Sequence, residues 1–302
     1  MLIAVTGGTG FIGTRLLDHL ARRGDRVHLL TRTPHRVPPL PAVQEVFEWG
    51  GEMAEAPRKA FEGVDAVIHL AGKSIAGRFT ARHKEEVYRS RIEGTRRIVE
   101  AIGDCRQKPR ILVSSSGVNY YGDRGDAVLT VESAPGDSFI SRVCVDWEHE
   151  ARRAAEHGVH AKCIRTGIVL GKGGGALQEM LTPFKAGVGG PFGKGRAWWS
   201  WIHLDDICGL YLHALGNHES TTYNGTAPNP VTNREFARTL GKVLHRPAIL
   251  PLPQSILRLA LGEMADNLLL QSVRAVPANA QREGFTFQYP FLEDALREVL
   301  QT

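Results

Sequence analysis

The sequence predicts an α/β protein: a parallel sheet wound on both faces by helices, with a smaller, mostly helical C-terminal lobe. Three observations carry that expectation. A strand-type run, Leu2–Thr6, passes through a glycine cluster, Gly7–Gly13, straight into an amphipathic run. Apolar strand-length segments then alternate with helical ones as far as residue 170, with short connections between them. After Leu170 the chain turns to glycine-rich and tryptophan-rich loops and then to proline-punctuated helical stretches.

The first unit is the most informative. Leu16, Leu17 and Leu20 keep helical spacing, and Arg22, Arg23 and Gly24 close the helix. Gly7 lets the chain turn tightly off the strand, Gly10 leaves room for backbone to approach a pyrophosphate, and Gly13 lets the helix pack close to the sheet. The free N–H groups and positive dipole end of that helix suit phosphate oxygens. This is the strand, glycine turn and helix of an NAD(P)-binding Rossmann fold, and Phe11 and Ile12 belong to the same turn.

The remaining elements follow in order. Arg26–Thr31 reads as the second strand, then a proline-rich loop, then a strand over Gln44–Trp49 and a short helix around Met53–Phe61. Ala66–Leu70 reads as a buried parallel strand broken by Ala71 and Gly72. A long helix is expected from Thr80, a plausible cap, to Ile102, then a strand over Arg110–Ser114 leading into Ser115 and Ser116. A polar loop fills 117–137, a helix spans Ser138–Glu156, and Ala161–Thr166 is the sixth strand. Helix Asp205–Leu215 and strand Thr222–Asn224 read as a return to the sheet, and Thr232 with Glu235 forms a capping box for helix 232–244. Residues 1–170 with 205–230 are thus expected to form the nucleotide domain, and 171–204 with 231–302 the smaller substrate lobe. Ligands of such sheets sit beyond the carboxyl ends of the strands. Gly7–Gly13, Arg32, Leu70-Ala71-Gly72, Ser114–Ser116 and Arg165–Gly167 all fall there.

Composition bounds the function. The chain has 302 residues, 42% of them apolar and 23% charged, ordinary for a soluble globular protein. The net charge is +5, but the basic residues are scattered and no aromatic-interleaved basic stripe occurs, so nucleic-acid binding is not expected. Cys105, Cys144, Cys163 and Cys208 show no CxxC and no metal-type pairing with histidine, which predicts reduced thiols and no metal site. The chain opens directly on a strand, and no apolar run approaches the ~20 residues of a membrane span. No signal peptide, no membrane partner and a cytoplasmic location are therefore expected. A monomer and a homodimer are both compatible with the sequence.

The string Thr6-Gly-Gly-Thr-Gly-Phe-Ile-Gly13 is similar to the fingerprint of the extended short-chain dehydrogenases/reductases, the epimerase/dehydratase superfamily. Asp65–Gly72, Gly94-Thr95, Ser114–Ser116, Tyr121-Gly122, Arg165–Gly167 and Trp201–Asp206 match in the same order, so the resemblance covers essentially the whole chain. It resembles most an atypical branch of epimerase-like proteins, through Leu70–Ile75, Ser90–Thr95, Phe139–Glu148 and the C-terminal Leu261–Glu263, Pro277 and Gly284–Phe287. The resemblance implies a nicotinamide cofactor and a carbonyl, hydroxyl or nucleotide-sugar substrate.

The second strand ends in Thr31-Arg32, with Arg36 nearby, where NAD-preferring folds carry an acid for the ribose 2′-OH. A guanidinium there suits the 2′-phosphate of NADP(H). Lone His69 is expected to be structural, and the backbone of Leu70, Ala71 and Gly72 to pass beside the cofactor.

The family's catalytic Tyr lies four residues before a Lys, and none of the six tyrosines here does. The resemblance places Ile140 in the Tyr slot, Cys144 in the Lys slot and Arg91 where Asn is common, and it keeps Ser116 as the upstream serine. Tyr121 and Cys144 are the candidate replacement acids, each with a packing role as the alternative. Arg91 is expected either to hold an anion or to pair with Glu93 or Asp146. The loop 187–196, with Lys194 and Arg196, and Trp198 with Trp199 could serve an anionic substrate or form a packed corner. A chain that lost the pair could also be a non-catalytic NADP-binding sensor or scaffold.

Overall fold

The computed structural model describes residues 1–216 and 218–301. Its centre is a parallel seven-stranded sheet built from β1 (Leu2–Thr6), β2 (Arg26–Thr31), β3 (Val43–Glu48), β4 (Ala66–His69), β5 (Ile111–Gly117), β6 (His160–Thr166) and β7 (Thr222–Gly225). The order across the sheet is β3-β2-β1-β4-β5-β6-β7, so it reverses direction beside β1. That reversal opens a crevice at the carboxyl ends of β1 and β4.

Helices cover both faces. Helix α1 (Phe11–Arg22) and α5 (Leu204–Ala214) pack on one face, burying Leu16, Leu17, Leu20, Ile207 and Leu210 against Val5, Leu29 and Ile68. Helix α2 (Ala81–Gly103) and α3 (Phe139–Arg152) cover the other, with Ile98, Ile102 and Ala151 against Val67 and Leu112. Thr80 and Ser138 each accept a backbone N–H at the start of α2 and α3, satisfying a donor the helix itself leaves open. The helix expected over Met53–Phe61 is replaced by two 3₁₀ turns, Gly51–Met53 and Arg58–Ala60. Gly51 takes φ +75°, and Pro57 restricts the residue before it and offers no N–H, so a continuous helix cannot form. Helix α3 stops four residues short of the expected Glu156 and finishes as a 3₁₀ turn, Arg153–His157.

A third cluster gathers α4 (Gly175–Lys185), α6 (Asn233–Leu244) and α9 (Leu292–Leu300) around Trp199, Trp201 and Phe236. The capping box of Thr232 and Glu235 is formed in both directions. Between α6 and α9 lie α7 (Gln254–Leu261), a π-helical turn over Ala265–Leu269 and α8 (Ala278–Arg282). The adjacent acids Asp205 and Asp206 clamp these layers. Asp205 receives Arg15 and His19 of α1, and Asp206 accepts the N–H groups of Gln288 and Tyr289 at 2.7 and 3.0 Å. Among the described residues no helix is long and apolar enough to cross a membrane.

Candidate cofactor and active site

The glycine turn has the shape its sequence demands. Gly7 sits at φ +70°, and a Cβ there would lie 2.7 Å from the Ala71 nitrogen. A Cβ on Gly13 would lie 2.2 Å from the Gly7 carbonyl oxygen, so α1 could not approach β1 with any larger residue. At Gly10 the crowding is mild, 3.2 Å from the same oxygen. Helix α1 begins with no side-chain cap and no acid in its first turn, so its leading N–H groups and dipole are left for a ligand. Phe11 turns from the helix start onto the Gly171–Gly175 loop; a Cβ on Gly174 would stand 2.6 Å from its ring.

The neighbouring strand ends complete the cradle. Thr31 is buried at the end of β2, while Arg32 and Arg36 are exposed and their side chains have neither hydrogen-bond nor ion-pair partners among the described residues. Leu70, Ala71 and Gly72 leave β4 directly against Gly7, and the Ala71 N–H donates to Thr6 Oγ at 3.3 Å. His69 is sealed beneath them, 2.6 Å from the Thr6 hydroxyl and 3.0 Å from that of Thr95. Burial, aided by the charge of Arg91, pulls its pKa down to about 3, so it stays neutral. These features fit a dinucleotide: glycines where a Cβ would intrude, an open helix N-terminus and an exposed guanidinium just past the end of β2.

The residues singled out for chemistry gather around one carboxylate. Ser116, Arg165 and Asn224 stand side by side on β5, β6 and β7, in register. Glu148, on the buried side of α3, points into that row. Its carboxylate receives Ser116 Oγ at 2.8 Å, Arg165 Nε and Nη2 at 2.7 and 2.9 Å, and Arg152 at 2.8 Å. Burial alone would raise the Glu148 pKa, but the two guanidiniums outweigh it and hold it below the usual range. Tyr121, fully buried, donates to Asn224 Oδ1 at 2.6 Å and accepts from Arg165 Nη1 at 3.0 Å. Burial raises its pKa, so the phenol keeps its proton. The Arg165 guanidinium also lies 3.4 Å from the centre of the Tyr120 ring. Arg165 is thus committed to Glu148 and the tyrosines. Gly167 is packed under the Ser200 carbonyl, 2.5 Å from where its Cβ would stand.

Cys144 lies beside the end of β5, with Ile140, Val87 and Phe79 around it. Burial pushes its thiol up to about 11. Arg91 reaches the same region from α2. It donates to the Lys73 carbonyl at 2.9 Å and covers the Trp147 ring at 5.0 Å. The expected pairing with Glu93 or Asp146 is absent, because Glu93 binds Arg96 and Asp146 accepts the Tyr88 hydroxyl.

On the substrate side, Trp199 is a packed residue against Phe192 and Phe236. Trp198 donates to Asp126 and is covered by Arg274. Lys194 and Arg196 are exposed. A polar cleft of about 390 Å³ opens next to Gly122, lined among others by Asp123, Asp137, Gln254, Arg258 and Asp266. Far from it, at the amino ends of β6 and β7, His213, His218 and Glu283 bring three possible metal ligands within 4.8 Å. The two imidazoles stack at 3.9 Å, so their in-plane lone pairs do not converge, and Glu283 already accepts Tyr223 and Ser220.

Glu148 and Asn224, with Arg152 and Tyr120 at the edge of the network, are the members that the sequence reading did not assign a role. The first two carried a signal: Glu148 follows Ile140 and Cys144 at four-residue spacing on the apolar side of α3, and Asn224 is an amide inside a strand.

Residues 3–225 match the model of the NAD dependent epimerase/dehydratase family, and residues 252–299 that of a domain of unknown function, DUF1731. The chain is 38% identical to the epimerase family protein YfhF of Bacillus subtilis, over 99% of this chain and 98% of that one. It is equally similar, 38%, to the chloroplastic SDR39U1 homolog of Arabidopsis thaliana, over 100% of this chain and 87% of the relative. Among solved structures, human epimerase family protein SDR39U1 with NADPH superposes with a TM-score of 0.88 at 34% identity, covering 100% of both chains.

Proposed function

The chain belongs to the NAD dependent epimerase/dehydratase family and has its NAD(P)-binding short-chain dehydrogenase/reductase fold, and on that footing we propose that it binds NADP(H) and acts as an atypical oxidoreductase or epimerase on a small carbonyl, hydroxyl or nucleotide-sugar substrate. The observation that carries the cofactor preference is the exposed Arg32, seconded by Arg36, at the end of a strand that itself carries no acid. In this reading the leading N–H groups of α1 hold the pyrophosphate, Arg32 binds the 2′-phosphate, and the Leu70–Gly72 backbone lines the sugar. Bound there, NADP(H) supplies or accepts a hydride.

The chain's own chemistry centres on Ser116. Its proton is committed to Glu148, so its lone pairs are free to accept a substrate hydroxyl and orient it. Arg165 and Arg152 keep Glu148 ionised, and Tyr121 and Asn224 hold Arg165 in place. A carboxylate held below its usual range takes a proton reluctantly, so Glu148 orients the Ser116 hydroxyl rather than removing its proton. A small anionic substrate and a cytoplasmic site of action complete the proposal. The test is NADPH and NADH binding followed by a panel of carbonyls and nucleotide-sugars. NADPH preferred over NADH, with turnover that Ser116→Ala reduces strongly, supports the reading; tight NADPH binding without turnover across the panel removes its catalytic half.

One observation favours a second reading. Tyr121 and Cys144 are both held in their protonated forms, and the Tyr121 hydroxyl is satisfied within the protein. A non-catalytic NADP(H) sensor or scaffold needs no acid at those positions. It would distinguish NADP⁺ from NADPH in affinity, and equal affinities count against it.

A further inference from the structure

Arg91 is a cation that no carboxylate answers among the described residues. Its guanidinium lies against the loop that leaves β4, 3.4 Å from where a Cβ on Gly72 would stand, and beside Cys144 at the end of β5. Its protein partners are two backbone carbonyls, Lys73 and Val87, and the Trp147 face. Every acid within reach along α2 and α3 is taken. Glu86 binds Lys73 and Arg82, Glu93 binds Arg96, Asp146 accepts Tyr88, and Glu148 is enclosed by Arg165, Arg152 and Ser116. Among the described residues Arg91 makes no ion pair.

Desolvating a guanidinium without a counter-charge is unfavourable. A carbonyl dipole compensates only part of that cost. Arg91 is only partly exposed, and burial pulls its pKa down with no carboxylate beside it to offset that. Its Nε and Nη2 donate to no protein atom and are not sealed from outside. Those N–H groups therefore remain for a ligand, in the fork geometry that suits a carboxylate or phosphate. The 390 Å³ cleft beside Gly122 offers the opposite environment: Asp123, Asp137 and Asp266 line it, and its Arg258 is already paired with Asp266.

We propose that Arg91 is the docking point for a ligand oxyanion, a carboxylate or phosphate, placed between the carboxyl ends of β4 and β5. This deepens the proposed function, on which it rests, by giving the substrate side of the site a charge preference that the 390 Å³ cleft does not supply. The oxyanion has two possible sources, a phosphate of the dinucleotide or a carboxylate of the second ligand.

The experiment separates them with two titrations on wild type, Arg91→Lys and Arg91→Gln. One measures NADPH binding. The other measures binding of oxalate, as a carboxylate probe, by calorimetry to the protein alone and to its NADP⁺ complex. If the second ligand is the source, oxalate binds the wild-type complex, Arg91→Lys keeps part of that affinity, and Arg91→Gln loses at least tenfold while NADPH binding is unchanged. If the dinucleotide is the source, Arg91→Gln loses at least tenfold in NADPH affinity, Arg91→Lys loses less, and oxalate does not bind the complex. Unchanged NADPH and oxalate binding in Arg91→Gln overturns the proposal, and so does equal loss in both variants, which marks Arg91 as a latch for the Lys73 loop. Failure of wild-type NADPH binding refutes the cofactor reading instead, and the oxalate titration of the protein alone still decides the role of Arg91.

Discussion

Ser116 Oγ and Glu148 Oε1 are 2.8 Å apart, and the hydroxyl donates to a carboxylate that also carries a two-pronged contact from Arg165. Removing the charge of Glu148 leaves Arg165, 3% exposed, without its counter-ion. Glu148→Gln is expected to cost about 3–5 kcal/mol in chemical denaturation. The double variant Glu148→Leu with Arg165→Met should recover much of that loss, because no buried charge is then stranded and Arg152, the other partner, is half exposed to water. A double variant no more stable than the single one would show that the pair contributes through something other than mutual neutralisation.

The glycine turn separates folding from binding. Gly13→Ala should destabilise the protein itself, since its Cβ would lie 2.2 Å from a backbone oxygen. Gly10→Ala has only a mild contact within the protein, 3.2 Å, but fills the approach to the pyrophosphate. Its melting temperature should change little while NADPH affinity falls by about tenfold or more, roughly one lost hydrogen bond or contact. Thermal unfolding and fluorescence titration on the same samples check both statements.

Arg32 sets the cofactor preference. Arg32→Glu should reverse it, weakening NADPH by about 10- to 100-fold, the value of one to two charge-assisted contacts. NADH binding should hold or improve, because an acid can accept the ribose 2′-OH. An unchanged NADPH-to-NADH ratio would mean that Arg32 is a solvated surface charge.

His69 makes stability depend on acid. Its folded pKa of about 3 lies below the ordinary 6.5 of a free histidine, so below pH 6.5 the unfolded chain takes up a proton the folded one refuses. This contribution is fully present above pH 6.5 and declines as pH falls toward 3, by about 1.4 kcal/mol per pH unit. His69→Gln should flatten the stability profile between pH 6 and pH 4 relative to wild type, as read by denaturant midpoints across that range. A parallel profile in the variant would assign the acid sensitivity to other groups.

The fold was legible because its signals are local. Strand-length apolar runs, the Gly7–Gly13 turn and the caps at Thr80 and Thr232 each act within a few residues, and each formed as expected. The Met53–Phe61 helix failed for an equally local reason, the Gly51 turn and Pro57. The site was harder to read because its partners are distant in sequence. Arg165 lies at a ligand-facing strand end by position, yet Glu148, 17 residues earlier, holds it inside. Tyr121 is 103 residues from the Asn224 that accepts its hydrogen bond. Arg91 and Glu93 are close in sequence, but residues two apart on a helix do not face each other, so proximity did not become a pair.

The crowded corner of Arg91, Ile140 and Cys144 has a consequence for anyone who would convert this chain back into a conventional reductase. Writing Tyr at 140 and Lys at 144 restores the motif on paper but inserts two large polar side chains where 3% and 5% of the present ones are exposed. The new ammonium would be a second cation beside Arg91, and its nearest buried carboxylate, Glu148, is already saturated. The retrofit therefore needs a third change, at 91, before the other two become tolerable. Charge thus opposes the standard catalytic pair here: a Lys at 144 would stand beside Arg91, and the buried carboxylate next to it already answers two guanidiniums.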